Sequence, residues 1–244
     1  MSDPFVTPCT DRIVIPDWLR GFDVLHQEEE RAGDGYRRGL PHWRYAGASY
    51  FLTFRLGDSL PAGVVESGQR AAALWEESLE AERLASGGQL SEATRLADRD
   101  FRRKAWVKME SLLDGGEGAC LMRDPMVRRI VRKGLLHFEG KRCHLAAFVT
   151  MPNHIHVLCQ PWEGWALENL VGSWKKHTAR QINQWLGQSG PLWQRETYDR
   201  IIRDGDHFRR VVRYISRNPA KAGLREGEAE VWINPALLRS DSTT

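Results

Sequence analysis

Two periods of apolar residues run along this chain. Tyr50-Phe-Leu-Thr-Phe-Arg-Leu56 is dense in aromatic and β-branched residues and predicts a first strand, closed by a turn over Gly57 to Pro61. Val64 to Leu113 changes to helical spacing. Ala71, Ala72, Trp75 and Leu79 share one face, Gly87-Gly88 breaks the run, and a second helix carries Leu96, Phe101, Trp106 and Met109. Asp124-Pro125 marks a helix start, with Val127, Ile130, Val131 and Leu135 as its buried stripe and Arg128, Arg129, Arg132 and Lys133 outward. Cys143 to Val149 and His154 to Leu158 read as two strands joined by a tight turn at Met151-Pro-Asn153. A further helix follows with Leu167, Leu170, Val171, Trp174, Thr178, Ile182 and Trp185 on one face. Tyr198 to Arg203 predicts a short strand. Asp206 is expected to cap a last helix that buries Phe208, Val211, Val212 and Ile215 and stops before Pro219. This order predicts an α+β sandwich, an antiparallel sheet covered by helices, with a helical insertion after the first strand.

The expected boundaries are a peripheral N-terminal arm over 1–41, a main domain over 42–232 with the insertion at 64–117, and a tail over 233–244. No secretory signal is visible in Met1 to Pro16, and no apolar run reaches the roughly 20 residues of a membrane span. Cys9, Cys120, Cys143 and Cys159 show no CxxC spacing and read as thiols of a reducing compartment. A cytoplasmic, nucleoid-associated protein is expected. The net charge is only +3, but it is unevenly placed. From Trp165 to Arg225 there are 12 Lys/Arg against 5 Asp/Glu, whereas Gly63 to Glu117 holds 8 against 11. A basic C-terminal half fits a nucleic-acid partner, and equally a solvated basic surface.

Charge and pattern together single out a few residues. His154 and His156 are two apart on a strand, so both imidazoles project to one face, as metal ligands or as packing. Tyr214 and Asn218 are four apart on the last helix and share a face beside the apolar stripe. Tyr214, its hydroxyl expected free at the core edge, is a candidate nucleophile, and Asn218 could lend an amide oxygen to a hard cation. The bland alternative is a boundary tyrosine and a helix-stopping asparagine. Lys175, Lys176, Arg195, Arg200, Arg203, Arg210, Arg213 and Arg217 are candidates for phosphate contacts, and Trp193, expected to be open, for base stacking.

Met151-Pro-Asn-His-Ile-His-Val-Leu158 resembles the His-hydrophobic-His motif of single-tyrosine transposases of the HUH endonuclease class. Trp193-Gln-Arg-Glu-Thr-Tyr-Asp-Arg200 followed by Tyr214-Ile-Ser-Arg-Asn-Pro-Ala-Lys-Ala-Gly-Leu224 resembles the tyrosine helix of the REP-associated branch, and Trp174-Lys-Lys176 resembles a segment between the two. The match runs in order from about Tyr50 to Trp232, interrupted by the helical insertion. The resemblance implies a ferredoxin-like core. It implies Mg²⁺ or Mn²⁺ on His154, His156 and Asn218, and Tyr214 attacking single-stranded or hairpin DNA to give a 5′-phosphotyrosine. A monomer and a homodimer are both compatible with it. A domesticated DNA-binding module without turnover, and a hydrolase using water on the same histidines, are the rival readings.

Overall fold

The computed structural model describes residues 13–23, 36–38, 40–42 and 45–238. Cys9, the Glu28–Arg31 charge cluster and the last six residues of the tail lie outside the described residues. Two short strands, β1 (Tyr36–Arg38) and β2 (Leu40–His42), pair as a separate antiparallel hairpin. The main sheet is built from β3 (Tyr50–Arg55), β4 (Cys143–Thr150), β5 (His154–Pro161), β6 (Tyr198–Ile201) and β7 (Glu230–Ile233). All its pairings are antiparallel, in the order β6-β3-β5-β4-β7. The helices are α1 (Ala62–Ala85), α2 (Glu92–Asp114), α3 (Pro125–Leu136), α4 (Leu167–Leu186) and α5 (Gly205–Lys221). Strand β3, helix α3, the β4–β5 hairpin, helix α4 and strand β6 make the β-α-β-β-α-β order of a ferredoxin-like fold. The α1–α2 hairpin is inserted after the first of these strands, and α5 and β7 are added at the end.

Alternation along the strands sends side chains to two cores. Tyr50, Leu52 and Phe54 of β3 and Ile155, Val157 and Cys159 of β5 face α3 and α4, where Val127, Val131, Leu135, Leu170, Trp174 and Ile182 bury them. Phe51, Val149 and Leu158 point the other way, to Phe208, Val211, Val212 and Ile215 of α5. His154 and His156 carry the same parity as Leu158, so the pleat delivers them to the α5 face. Within residues 1–41, read from sequence as a peripheral arm, Ile13, Leu19 and Phe22 are buried in this second core. In the tail, Leu237 is buried there as well.

Several local expectations are corrected. Arg128 is buried rather than outward; its guanidinium donates to the carbonyls of Met122, Arg123 and Gly227 and ties α3 to the turn before it and to the loop before β7. Trp185 is exposed, because its indole N–H reaches out to Asp124 Oδ2 at 3.1 Å instead of packing inward. Asp204, not Asp206, caps α5, accepting from the amide of His207 at 2.6 Å. Pro219 lies inside the last turn of α5 rather than ending it. A proline's fixed φ is helical, and so near the C-terminus it forfeits one hydrogen bond without breaking the turn. The helix closes instead at Gly223, whose φ of +67° costs glycine nothing.

Candidate active site

The site lies where the start of β5 meets α5. His154 and His156 stand on a central strand with β3 on one side and β4 on the other, and both are fully buried. Their outer ring nitrogens are engaged. His154 Nδ1 donates to Asn153 Oδ1 at 2.8 Å, and that amide is oriented because its Nδ2 donates to the carbonyl of Glu117 at 3.0 Å. Thr53, directly across the ladder on β3, holds His156 Nδ1 at 2.8 Å. Both Nε2 atoms therefore turn inward and lie 3.2 Å apart. Fixing the second nitrogen in this way is how proteins set the tautomer and aim of a ligating imidazole.

Tyr214 comes from α5. Its ring packs edge-on against Phe51 and His156, and its hydroxyl is 3.4 Å from His156 Nε2. The hydroxyl is not free, as expected from sequence, but donates to Glu110 Oε2. Glu110 belongs to α2, in the helical insertion, and is buried at 2 % exposure. The same carboxylate oxygen is 3.1 Å from His156 Nε2. Glu110, His154 and His156 present one ligand atom each within 4.8 Å of one another.

His154 and His156 are the two histidines singled out from sequence, and Glu110 joins them. Glu110 was not among the sequence candidates, although it left a signal: it lies four residues after Trp106 and three before Leu113, a carboxylate on the inward face of its helix. Asn218, the expected third ligand, is fully buried one turn after Tyr214, and neither its Oδ1 nor its Nδ2 has a hydrogen-bond partner among the described residues. Glu110 Oε1 is likewise unpartnered. Buried polar atoms are normally satisfied, so an orphaned oxygen on the carboxylate that faces the two inward imidazole nitrogens fits a cation held between them. Two imidazole nitrogens and a carboxylate oxygen are a donor set that can hold a divalent metal ion.

The electrostatics agree with that chemistry. Burial, with His156 and a nearby lysine ammonium at Lys221 alongside, pushes His154 down to about 3, so it stays a neutral ligand. Burial works to raise the Glu110 carboxyl, but His156, His154 and the Tyr214 hydroxyl outweigh it and hold it down at about 2. Burial and the Glu110 charge beside it push the Tyr214 phenol well above its ordinary value.

The predicted DNA contacts divide. Arg200, Arg203 and Arg210 converge on a cavity that ends at Tyr214. Arg213 and Arg217 continue along α5, and Arg195 and Lys176 are exposed. Lys175 does not present a free ammonium: Nζ donates to the carbonyls of Gln194, Arg195 and Glu196 and pins the loop before β6. Trp193, expected to be open, is buried edge-to-face on Phe54, because its indole N–H finds Thr178 Oγ1 at 2.9 Å inside the core.

Comparison with known proteins adds three findings. No curated protein matches the chain. A solved structure described as that of a REP-associated tyrosine transposase bound to a REP hairpin aligns with a TM-score of 0.42 and 16 % identity, over 79 % of this chain and 76 % of that one. Residues 125–218, from the first turn of α3 through both histidines and Tyr214 to Asn218, match the family model described as transposase IS200 like.

Proposed function

We propose that the protein is a metal-dependent endonuclease and transposase of single-stranded, hairpin-forming DNA, of the REP-associated branch, with Tyr214 as its nucleophile. One observation carries the reading: the Tyr214 hydroxyl and the inward histidine nitrogens of the family-matched segment meet a buried carboxylate, Glu110 of the insertion, within hydrogen-bond reach. In the reaction Tyr214 Oη bonds to phosphorus as the bond from phosphorus to the 3′ oxygen breaks. The products are a 5′-phosphotyrosine and a free 3′-hydroxyl. Glu110, which accepts the tyrosine's hydrogen bond, aims the attacking oxygen; the phenolic proton passes to solvent and the departing 3′ oxygen takes one up. A later 3′-hydroxyl displaces the tyrosine by the reverse exchange, so strand transfer needs no ATP.

A divalent ion held by His154, His156 and Glu110, with Asn218 adjoining, would supply Lewis-acid polarisation of the scissile phosphate. The residues themselves do the rest. Thr53 and Asn153 aim the imidazoles, Phe51 holds the tyrosine ring, and the burial of the cluster excludes water as a competing nucleophile.

Tyr214→Phe is expected to abolish the covalent protein–DNA adduct on a hairpin-containing oligonucleotide while leaving binding intact. An adduct formed by that variant would remove Tyr214 from the role. Replacing His154 and His156 with Ala should abolish cleavage together with its dependence on added Mg²⁺ or Mn²⁺; cleavage that persists unchanged would remove the metal site. Strand breakage without any adduct in the wild type would favour water as nucleophile, and binding without breakage a domesticated regulator.

A further inference from the structure

Beside Tyr214 the α5 face opens into a cavity of about 360 Å³. Its walls come from three places that are remote in sequence. The helical insertion gives Trp106, strands β3 and β6 give Phe51, Tyr198 and Arg200, and the loop before α5 and the helix itself give Arg203, Asp204, His207, Arg210 and Val211, with Tyr214 at the end. The volume lies in the range of small-molecule pockets, about 300–1,000 Å³.

The lining has a definite chemistry. Trp106 and Tyr198 stand 6.3 Å apart, and Trp106 also packs on Tyr214 at 5.6 Å and on Phe51 at 6.5 Å. The Trp106 indole N–H is buried with no acceptor among the described residues. Arg200, Arg203 and Arg210 show no ion pair among the described residues. The one lining carboxylate, Asp204, is committed to the cap of α5. The crowding of positive charge is visible in its neighbours: burial, with Arg200 and Arg210 beside it, pushes His207 down to about 4. Burial, with Arg200 and Arg99, pulls Arg203 below its ordinary value. Such a place is short of negative charge and offers flat apolar surface and an unmet donor.

We infer that this cavity receives one nucleotide of the DNA strand adjoining the phosphate attacked by Tyr214, its base against Trp106 and Tyr198 and its phosphate oxygens toward Arg200, Arg203 and Arg210. The inference rests on the DNA-nicking reading above and deepens it. It also gives the helical insertion a task. Trp106 lies outside the family-matched segment, so a wall of the substrate site is supplied by a part of the chain that the family model does not include.

The test uses the full-length protein and a fluorescein-labelled oligothymidylate of twenty nucleotides. Trp106→Ala and Tyr198→Ala should each weaken binding about tenfold, the scale of one lost base–aromatic stack. The slope of log affinity against log salt should not change. Arg203→Ala and Arg210→Ala should each lower that slope by about 0.7, the value for one phosphate contact on a single strand. Trp106→Phe should recover most of the loss, and Trp18→Ala, outside the cavity, should match the wild type. Because Trp106 also packs on the core, a second measurement leaves the protein intact: dTMP should displace the oligonucleotide at least about tenfold more effectively than deoxyribose 5-phosphate. Equal displacement by the two, or wild-type affinity in a folded Trp106→Ala, overturns the pocket. If that happens while the wild type still forms a covalent adduct, the nicking reading stands and only the pocket falls. If the wild type neither binds nor nicks single-stranded DNA, both fall.

Discussion

Individual residues in this site are held by partners that have no chemical part in the reaction. Thr53 is the clearest case. It faces His156 across the β3–β5 ladder and its hydroxyl fixes the far ring nitrogen at 2.8 Å. Thr53→Val keeps the β-branched shape and removes the hydroxyl. It is expected to lower Mn²⁺ affinity by about 10- to 100-fold, the usual cost of losing a partner behind a metal ligand, with the fold unchanged. Isothermal titration with Mn²⁺ measures it; unchanged affinity would show that packing alone orients the ring. Glu110 separates two roles that the sequence does not connect. Glu110→Gln keeps the volume and a hydrogen-bonding group for Tyr214 but removes the charge. If Glu110 both holds the cation and aims the Tyr214 hydroxyl, this variant loses adduct formation and divalent-ion affinity together. Retained affinity with lost adduct would assign it to the tyrosine alone.

At the scale of elements, two contacts show how the helices are fixed to the sheet. Helices α3 and α4 approach so closely at Gly134 that a Cβ there would lie 2.7 Å from Thr178 Cγ2. Thr178 cannot swing away, because its hydroxyl donates to the Trp174 carbonyl and accepts from Trp193. Gly134→Ala would ordinarily stabilise a helix by roughly 0.5–1 kcal/mol. Here the clash is expected to win, with a net loss of about 1–3 kcal/mol in urea unfolding. A more stable variant would mean that the two helices separate readily. The α1–α2 hairpin is tied within itself by the Trp75–Phe101 stack and by Arg102 bridging Glu76 and Asp98. Yet its inward end places Trp106 and Glu110 against Tyr214, so it reaches the candidate site through one helical turn.

For the whole molecule, the buried cluster makes stability depend on pH in the absence of metal. His154 is pushed from 6.5 to about 3, so between those values the unfolded chain binds a proton that the folded chain refuses. Stability is therefore full above pH 6.5 and falls as pH drops toward 3, at up to about 1.4 kcal/mol per pH unit for this residue. His207, lowered to about 4, acts in the same direction. Glu110, held at about 2 against 4.5, adds a loss as pH falls below 4.5. Melting temperature of the metal-free protein should decline steadily from pH 6.5 to 4.5, and His154→Gln should flatten that decline. A flat profile in the wild type would contradict neutral burial of His154. Among the described residues no helix is long and apolar enough to cross a membrane.

The sequence by itself determined a good deal here, because much of the fold follows from local periodicity. The period-two runs at Tyr50 and Cys143, the helical stripes, the Asp124 cap and the Gly87-Gly88 break all depend on neighbours a few residues away. The His-x-His spacing fixed a shared face, and Tyr214 with Asn218 fixed another; pairing the two faces needed only that β5 pack against α5. Tertiary structure alone decided what joined them. Glu110 is 44 residues before His154 in the chain, and only the packing of the insertion carries its carboxylate to the site. The same holds for Trp106 and for the burial of Trp193 and Arg128, whose polar atoms found partners inside the protein. Periodicity shows which way a side chain points along its own element. It holds no information on which distant hydrogen-bond partner will be waiting there.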